Sequence, residues 1–210
     1  MNNNYEIDKL RVQQFGLSTT IKDNSGKEHY FYRGHEYVEI GGVKWAVTNV
    51  GAEKESDSGL YFAFGEPKGY TAKQMLKGER KFAKTKYANV EFDSVKAYWG
   101  GNWRMPTEAE FRALMSSTTS RWVENYQGSG VNGRLFTDKT DSSKKLFFPS
   151  AGCCYNDRIY SASCIGFYWS SSLLADDMTY GRRLYFSRGY FAMGCNDRCN
   201  GFPIRGVVGD

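Results

Sequence analysis

Between Gly181 and Phe202 the chain reads GRRLYFSRGYFAMGCNDRCNGF, and Leu184, Phe186, Phe191 and Met193 fall on alternate positions within two short runs. Successive side chains of a strand point to opposite faces, so this spacing predicts two extended segments that each turn one face into a core. The residues between them, Arg183, Tyr185, Ser187, Tyr190 and Ala192, share no chemistry. A solvated face would be consistently polar. One face of this strand pair is constrained, and the other is free to vary.

Composition shows how far that freedom extends. Lys, Glu and Gln together number 31 between Met1 and Lys145, and none occurs from Leu146 to Asp210, where the earlier rate would place about 14. The same tail keeps six Arg and five Asp. Burial sheds all charged types, so it cannot remove Lys and Glu while sparing Arg and Asp. The genetic code separates them: Lys, Glu, Gln, Met and Trp need a purine in the third codon position. A codon that varies in its first two bases before a fixed C cannot encode them. It can encode Tyr, Cys, Asp, Asn, Ser, Arg, Gly, Phe, Ala and Ile, the types that sit between the regular apolar positions. All five cysteines, Cys153, Cys154, Cys164, Cys195 and Cys199, lie in this tail. An odd number without an export signal argues against a disulfide framework. The two histidines, His29 and His35, lie too far upstream to complete a local Cys/His zinc spacing.

The rest of the chain supplies a frame. YVEI, Gly41-Gly42 and VKWAV predict a β-hairpin, because two period-2 runs flank a turn that tolerates positive φ. SGLYFAF, from Ser58 to Phe64, predicts a strand or buried loop. The segment MPTEAEFRALM predicts a helix: Thr107 caps it, Glu110 completes a capping box three residues on, and Phe111, Leu114 and Met115 form its apolar stripe. RWVENYQ, RLFT and KKLFFPSAG then predict successive strands around the Gly-rich turn from Gly128 to Gly133. Residues 1–35 are polar and predict an N-terminal extension or hairpin, with one domain over 36–210. At 210 residues, 40% hydrophobic and 16% aromatic, the chain is long enough for one sizeable core.

The blocks YVEIGGVKWAVTNVGA, WGGNWRMPTEAEF, FPSAG and GFYWSSS, followed by LYFSRGYFAMG and RCNGFPIRGV, resemble the variable proteins of diversity-generating retroelements, in the subgroup of gut bacteria and their phages. The resemblance runs from about Tyr37 to the C-terminus. It implies an α+β, C-type lectin-like fold of mostly short antiparallel strands and irregular loops with one or two helices. Its C-terminal part, about 150–205, is then a ligand-binding surface diversified by adenine-directed copying. Carried onto this chain, the variable ligand-binding positions are Tyr155, Tyr160, Ser161, Cys164, Phe167, Tyr180, Arg183, Tyr185, Ser187, Tyr190, Ala192, Gly194, Cys195, Asp197, Cys199 and Asn200. The fixed positions are Gly166, Trp169, Ser170, Ser171, Leu184, Phe186, Gly189, Met193, Arg198, Gly201 and Arg205. Tyr180, Tyr185 and Tyr190 with Arg183 are the expected hot-spot cluster, since Tyr and Arg dominate binding energy at interfaces.

The expected function is therefore recognition, receptor-binding or adhesin-like, of a protein or glycan on a cell surface, with no catalytic residue, metal or cofactor. The serines of WSSS have no local histidine to activate them. Calcium-dependent sugar binding is the alternative: Asn196-Asp197 resembles half of a WND motif and Glu66-Pro67 half of an EPN motif. Cys195 stands in place of the Trp, and Lys68 in place of the Asn puts a like charge beside any cation. Formylglycine-generating enzymes share a related fold and use late cysteines, which leaves Cys195 and Cys199 as the sole candidates for that chemistry. The basic run from Lys68 to Lys86 carries no nucleic-acid motif and predicts a solvated loop or short exposed helix. No stretch approaches the roughly 18 apolar residues of a membrane span. The start MNNNYEIDKL lacks a secretory signal, so a phage tail tip or the bacterial cytoplasm before assembly is expected, with homo-oligomers compatible.

Overall fold

Strands β3 (His35–Ile40) and β4 (Val43–Asn49) form the hairpin expected around Gly41 and Gly42, whose φ values of 62° and 75° are open to glycine at little cost. A Cβ on Gly41 would also stand 2.9 Å from Ser117 Oγ. The computed structural model describes residues 18–79, 92–156 and 158–210. Before β3 come β1 (Thr19–Lys22) and β2 (Glu28–Tyr32), a hairpin that pairs onto β3 through Tyr32 and His35. Residue 35, where the sequence suggests a boundary, thus follows directly on a turn inside a continuous sheet.

The end of the chain closes this sheet. Strand β14 (Arg205–Val208) inserts between β4 and β5 (Trp103–Arg104), giving the order β1-β2-β3-β4-β14-β5. Two three-stranded sheets follow: β6 (Thr118–Val123), β7 (Gly133–Asp138) and β8 (Lys145–Pro149), then β11 (Gly166–Leu174), β12 (Asp177–Phe186) and β13 (Phe191–Asp197). A short pair, β9 (Cys153–Tyr155) and β10 (Arg158–Tyr160), lies between them in sequence. Among the described residues every strand ladder is antiparallel, and a single isolated bridge, Gly152 to Gly166, is parallel.

Among the described residues three α-helices complete this α+β arrangement: α1 (Ala72–Leu76), α2 (Ser94–Trp99) and α3 (Glu108–Ser117). Helix α3 begins as expected, with Thr107 Oγ1 accepting from Glu110 N at 3.2 Å and the Glu110 carboxylate accepting from Thr107 N at 2.7 Å. Phe111 and Leu114 are fully buried and Met115 packs at the rim of the same cluster. Helix α1 carries part of the basic run, with Lys73 and Lys77 exposed; Arg80 to Lys86 lie outside the described residues.

Alternation feeds two cores from single strands. On β4, Trp45 joins one cluster with Phe111, Phe148 and Leu184, while Ala46 joins another with Phe62, Trp103 and Phe202. On β11, Tyr168 and Trp169 divide in the same way. Between the clusters sits Arg205, which has no exposed surface. Its nitrogens donate to Asn49 Oδ1 at 2.9 Å and to the carbonyls of Ala46, Val47 and Phe147 at 3.1, 2.8 and 2.9 Å. A buried cation is tolerated here because main-chain dipoles replace water.

Strand β3 carries a pH dependence at its first residue. His35 stacks on Trp99 at 4.1 Å between ring centroids, and burial lowers its pKa from 6.5 to about 4. The unfolded chain then binds more protons between those values, so stability is fully present above pH 6.5 and falls as pH drops toward 4. The urea midpoint is expected to decline across that window, and His35→Gln to flatten the decline. An identical slope in the variant would assign the acid sensitivity to another group.

Candidate functional site

The third sheet has the two unlike faces that its sequence suggests. Registers Gly166↔Phe186↔Phe191 and Tyr168↔Leu184↔Met193 put one set on the core side, and Tyr168, Leu184 and Phe186 have no exposed surface. Registers Phe167↔Tyr185↔Ala192 and Trp169↔Arg183↔Gly194 put the other set on the opposite side. That second face is divided along its length. Trp169 is buried beneath Phe64 and Phe202, and its Nε1 donates to the Phe62 carbonyl at 2.9 Å. Beside it across β12 and β13, and toward the β12–β13 turn, Phe167, Arg183, Tyr185, Ala192 and Gly194 are only partly covered.

Arg183 is the centre of this open end. Its guanidinium lies 5.1 Å from the ring centroids of both Phe167 and Tyr185, within cation–π range. Its Nε donates to Asn196 Oδ1 at 2.7 Å. The side chain runs across Gly194, where an added Cβ would stand 2.9 Å from Nη1. Phe167 stacks on Phe202 at 5.0 Å, and Tyr185 meets Tyr190 at 6.1 Å. Tyr190 is 60% exposed and stands at the β12–β13 turn with Ser187.

A residue from another sheet holds that turn. Arg134 on β7 donates to Ser120 Oγ at 2.8 Å and to the Ser187 and Arg188 carbonyls at 2.9 and 3.3 Å, and its guanidinium lies 4.8 Å from the Phe191 ring. The tip therefore sits on an anchored backbone.

The β9–β10 pair extends the face. Cys154 and Ile159 point into a cluster with Tyr61 and Met75, which leaves Cys153, Tyr155 and Tyr160 on the other side. Burial pushes the Cys153 thiol pKa up, and Arg183 lies close enough to oppose the rise. Tyr155 and Tyr160 are 40% and 44% exposed. Ser161 and Cys164, both exposed, lie in the turn that follows.

Other expected site residues lie elsewhere. Tyr180, Cys195 and Asp197 share the register side of Leu184 and Met193, so Tyr180 is not on the face of Tyr185 and Arg183. Arg182, on that same side, approaches Glu108 at 3.1 Å without good hydrogen-bond alignment. Cys199 is buried, and half-buried Asn200 donates through Nδ2 to the Asp197 carbonyl at 2.8 Å. Two contributors were missed. Asn196 orients Arg183 and Cys153 borders it, and alternation from Gly194 and from Tyr155 would have found both.

No protein family, curated protein or solved structure matches this chain. The site must therefore be read from its own chemistry.

Among the described residues no group of three or more His, Cys, Asp or Glu converges to hold a metal ion, and Cys153, Cys154, Cys164 and Cys195 are in no disulfide. No helix among them is long and apolar enough to cross a membrane. A cavity of about 710 Å³ lined by His29, Tyr37, Glu55 and Lys145 takes in none of the expected site residues. The open face offers aromatic planes and one guanidinium, groups that carry much of the binding energy where they occur at interfaces.

Proposed function

We propose that the protein is a recognition module of the retroelement-diversified kind, with a C-type lectin-like frame and a binding surface over the C-terminal face. The observation that carries this reading is a coincidence of two independent patterns. The region that lacks Lys, Glu and Gln supplies the open face, where Phe167, Arg183, Tyr185, Ala192 and Gly194 gather, while its apolar residues Tyr168, Leu184 and Phe186 are buried. Codon sampling restricted to a fixed third C would leave that signature. Exposed positions on an anchored sheet accept substitutions within about 0.5 kcal/mol, whereas the core side does not.

The ligand class is a protein or glycan displayed on a cell surface, because a broad aromatic face suits a macromolecule. The protein is read as non-enzymatic, and a phage tail tip is the setting that fits the resemblance.

Sequencing the 3′ end of this gene across a source population tests the proposal. Amino-acid differences are expected to concentrate at Tyr155, Tyr160, Phe167, Arg183, Tyr185, Tyr190, Ala192 and Gly194, with a reverse transcriptase gene and a near-copy of the tail nearby. The near-copy should differ from the gene only at adenines. Differences spread evenly over Leu184, Phe186 and Trp169, or no near-copy, would reject it.

A further inference from the structure

The free edge of β13 and the unpaired end of Arg183 meet at one place. Ser187 N donates to the Tyr190 carbonyl at 2.8 Å, which makes that pair a hydrogen-bonded one. Antiparallel ladders alternate, so Ala192 and Gly194 also bond inward to β12, while the backbone groups of Phe191, Met193 and Cys195 point away from it. Among the described residues no strand pairs with that outer side. The edge has neither Lys nor Pro to guard it, and codons ending in C cannot supply the Lys that commonly does.

Arg183 lies across this strand at Gly194. Among the described residues its single hydrogen bond is the one from Nε to Asn196, and it makes no ion pair, so Nη1 and Nη2 are left for a ligand. A half-buried guanidinium flanked by Phe167 and Tyr185 is held in one plane, and that fork matches a carboxylate in two parallel bonds.

We propose that this variant binds an extended acidic segment of a protein partner. The segment adds to β13 as a strand and sets an Asp or Glu, opposite Gly194, against Arg183. A residue opposite Gly194 in an added strand projects onto the face that Arg183 occupies. The backbone edge is the same whatever the variable side chains become, so it gives each variant a common docking mode while the side chains choose the partner. The inference rests on reading this face as the recognition surface.

The test is a titration of the full-length, ¹⁵N-labelled protein followed by NMR, with three probes: the capped pentapeptide Thr-Val-Glu-Val-Thr, its Gln counterpart, and N-acetylneuraminic acid. The Glu peptide is expected to shift the Arg183 Nε–H and the amides of Met193 and Cys195 in one saturable step. The Gln peptide should bind roughly ten-fold more weakly. Gly194→Val, which displaces the guanidinium, and Arg183→Gln should both lose that difference. The Trp169 indole and Leu184 amide signals report that each variant stays folded. Equal binding of the two peptides removes the anchor, and equal shifts at exposed Arg121 and Arg188 reduce it to nonspecific charge. A response to the sugar acid alone would assign the site to an acidic glycan. These outcomes are separate from the population test, because the pentapeptide reads this chain's chemistry whether or not its tail was diversified.

Discussion

Arg205→Met is expected to lower the free energy of unfolding by about 3–5 kcal/mol, read as a shift in the urea midpoint with unchanged slope. The substitution keeps an apolar stem over the Phe148 ring, 4.4 Å from the original guanidinium, but removes every donor. Asn49 Oδ1 and the carbonyls of Ala46, Val47 and Phe147 then lose a charged partner inside a dry region. Each buried acceptor left without a donor costs about 1–3 kcal/mol, and relief of the buried cation offsets part of the sum. Arg205→Lys should recover only a fraction, since one ammonium cannot serve acceptors on β4 and β8 together. A loss below about 1 kcal/mol for Met would mean that the guanidinium does not hold β14 to its neighbours.

The second large effect is an asymmetry between a core-side residue and an exposed residue of the last sheet. Asn at Leu184 is expected to cost at least about 4 kcal/mol, because a fully buried Leu is lost and an amide is left without partners. In a chain of this size that lowers the melting temperature by roughly 10 °C. Asn at Tyr190, which is 60% exposed, should stay within about 0.5 kcal/mol of the parent. Asn is the informative substitution because its codon AAC, with adenine in both leading positions, is the one that adenine-directed copying would act on under the proposed function. Thermal melts of the two variants side by side give the answer, and equal losses would mean that the sheet has no tolerant face.

Some of this architecture was legible because its causes are local. The capping box of Thr107 and Glu110, the apolar stripe of Phe111 and Leu114, and the Gly41-Gly42 turn depend on residues a few positions apart. The alternation of Leu184, Phe186, Phe191 and Met193 is likewise a property of extended backbone, and the ladder Phe186↔Phe191, Leu184↔Met193 follows from it. Period alone also places Asn196 beside Gly194, although the expected site took Cys195 and Asp197 instead.

What alternation could not give was which part of the second face is open. Trp169 and Arg183 are register partners on one side of the sheet, yet Trp169 is sealed by a loop whose Phe62 carbonyl lies 107 positions earlier in the chain. The same loop closes over Gly181, where a Cβ would meet Phe64 at 2.3 Å.

The sequence by itself determined the helix start, the hairpin, the sidedness of the last strands and the restricted alphabet of the tail, since propensity, period and composition are all written along the chain. Only the tertiary structure decided that β14 lies between β4 and β5, that the β9–β10 pair comes up to Arg183, and that Trp169 is sealed while its register partner Arg183 is open. Burial depends on what another segment brings into contact, and contacts between distant segments leave no period in the residues they cover.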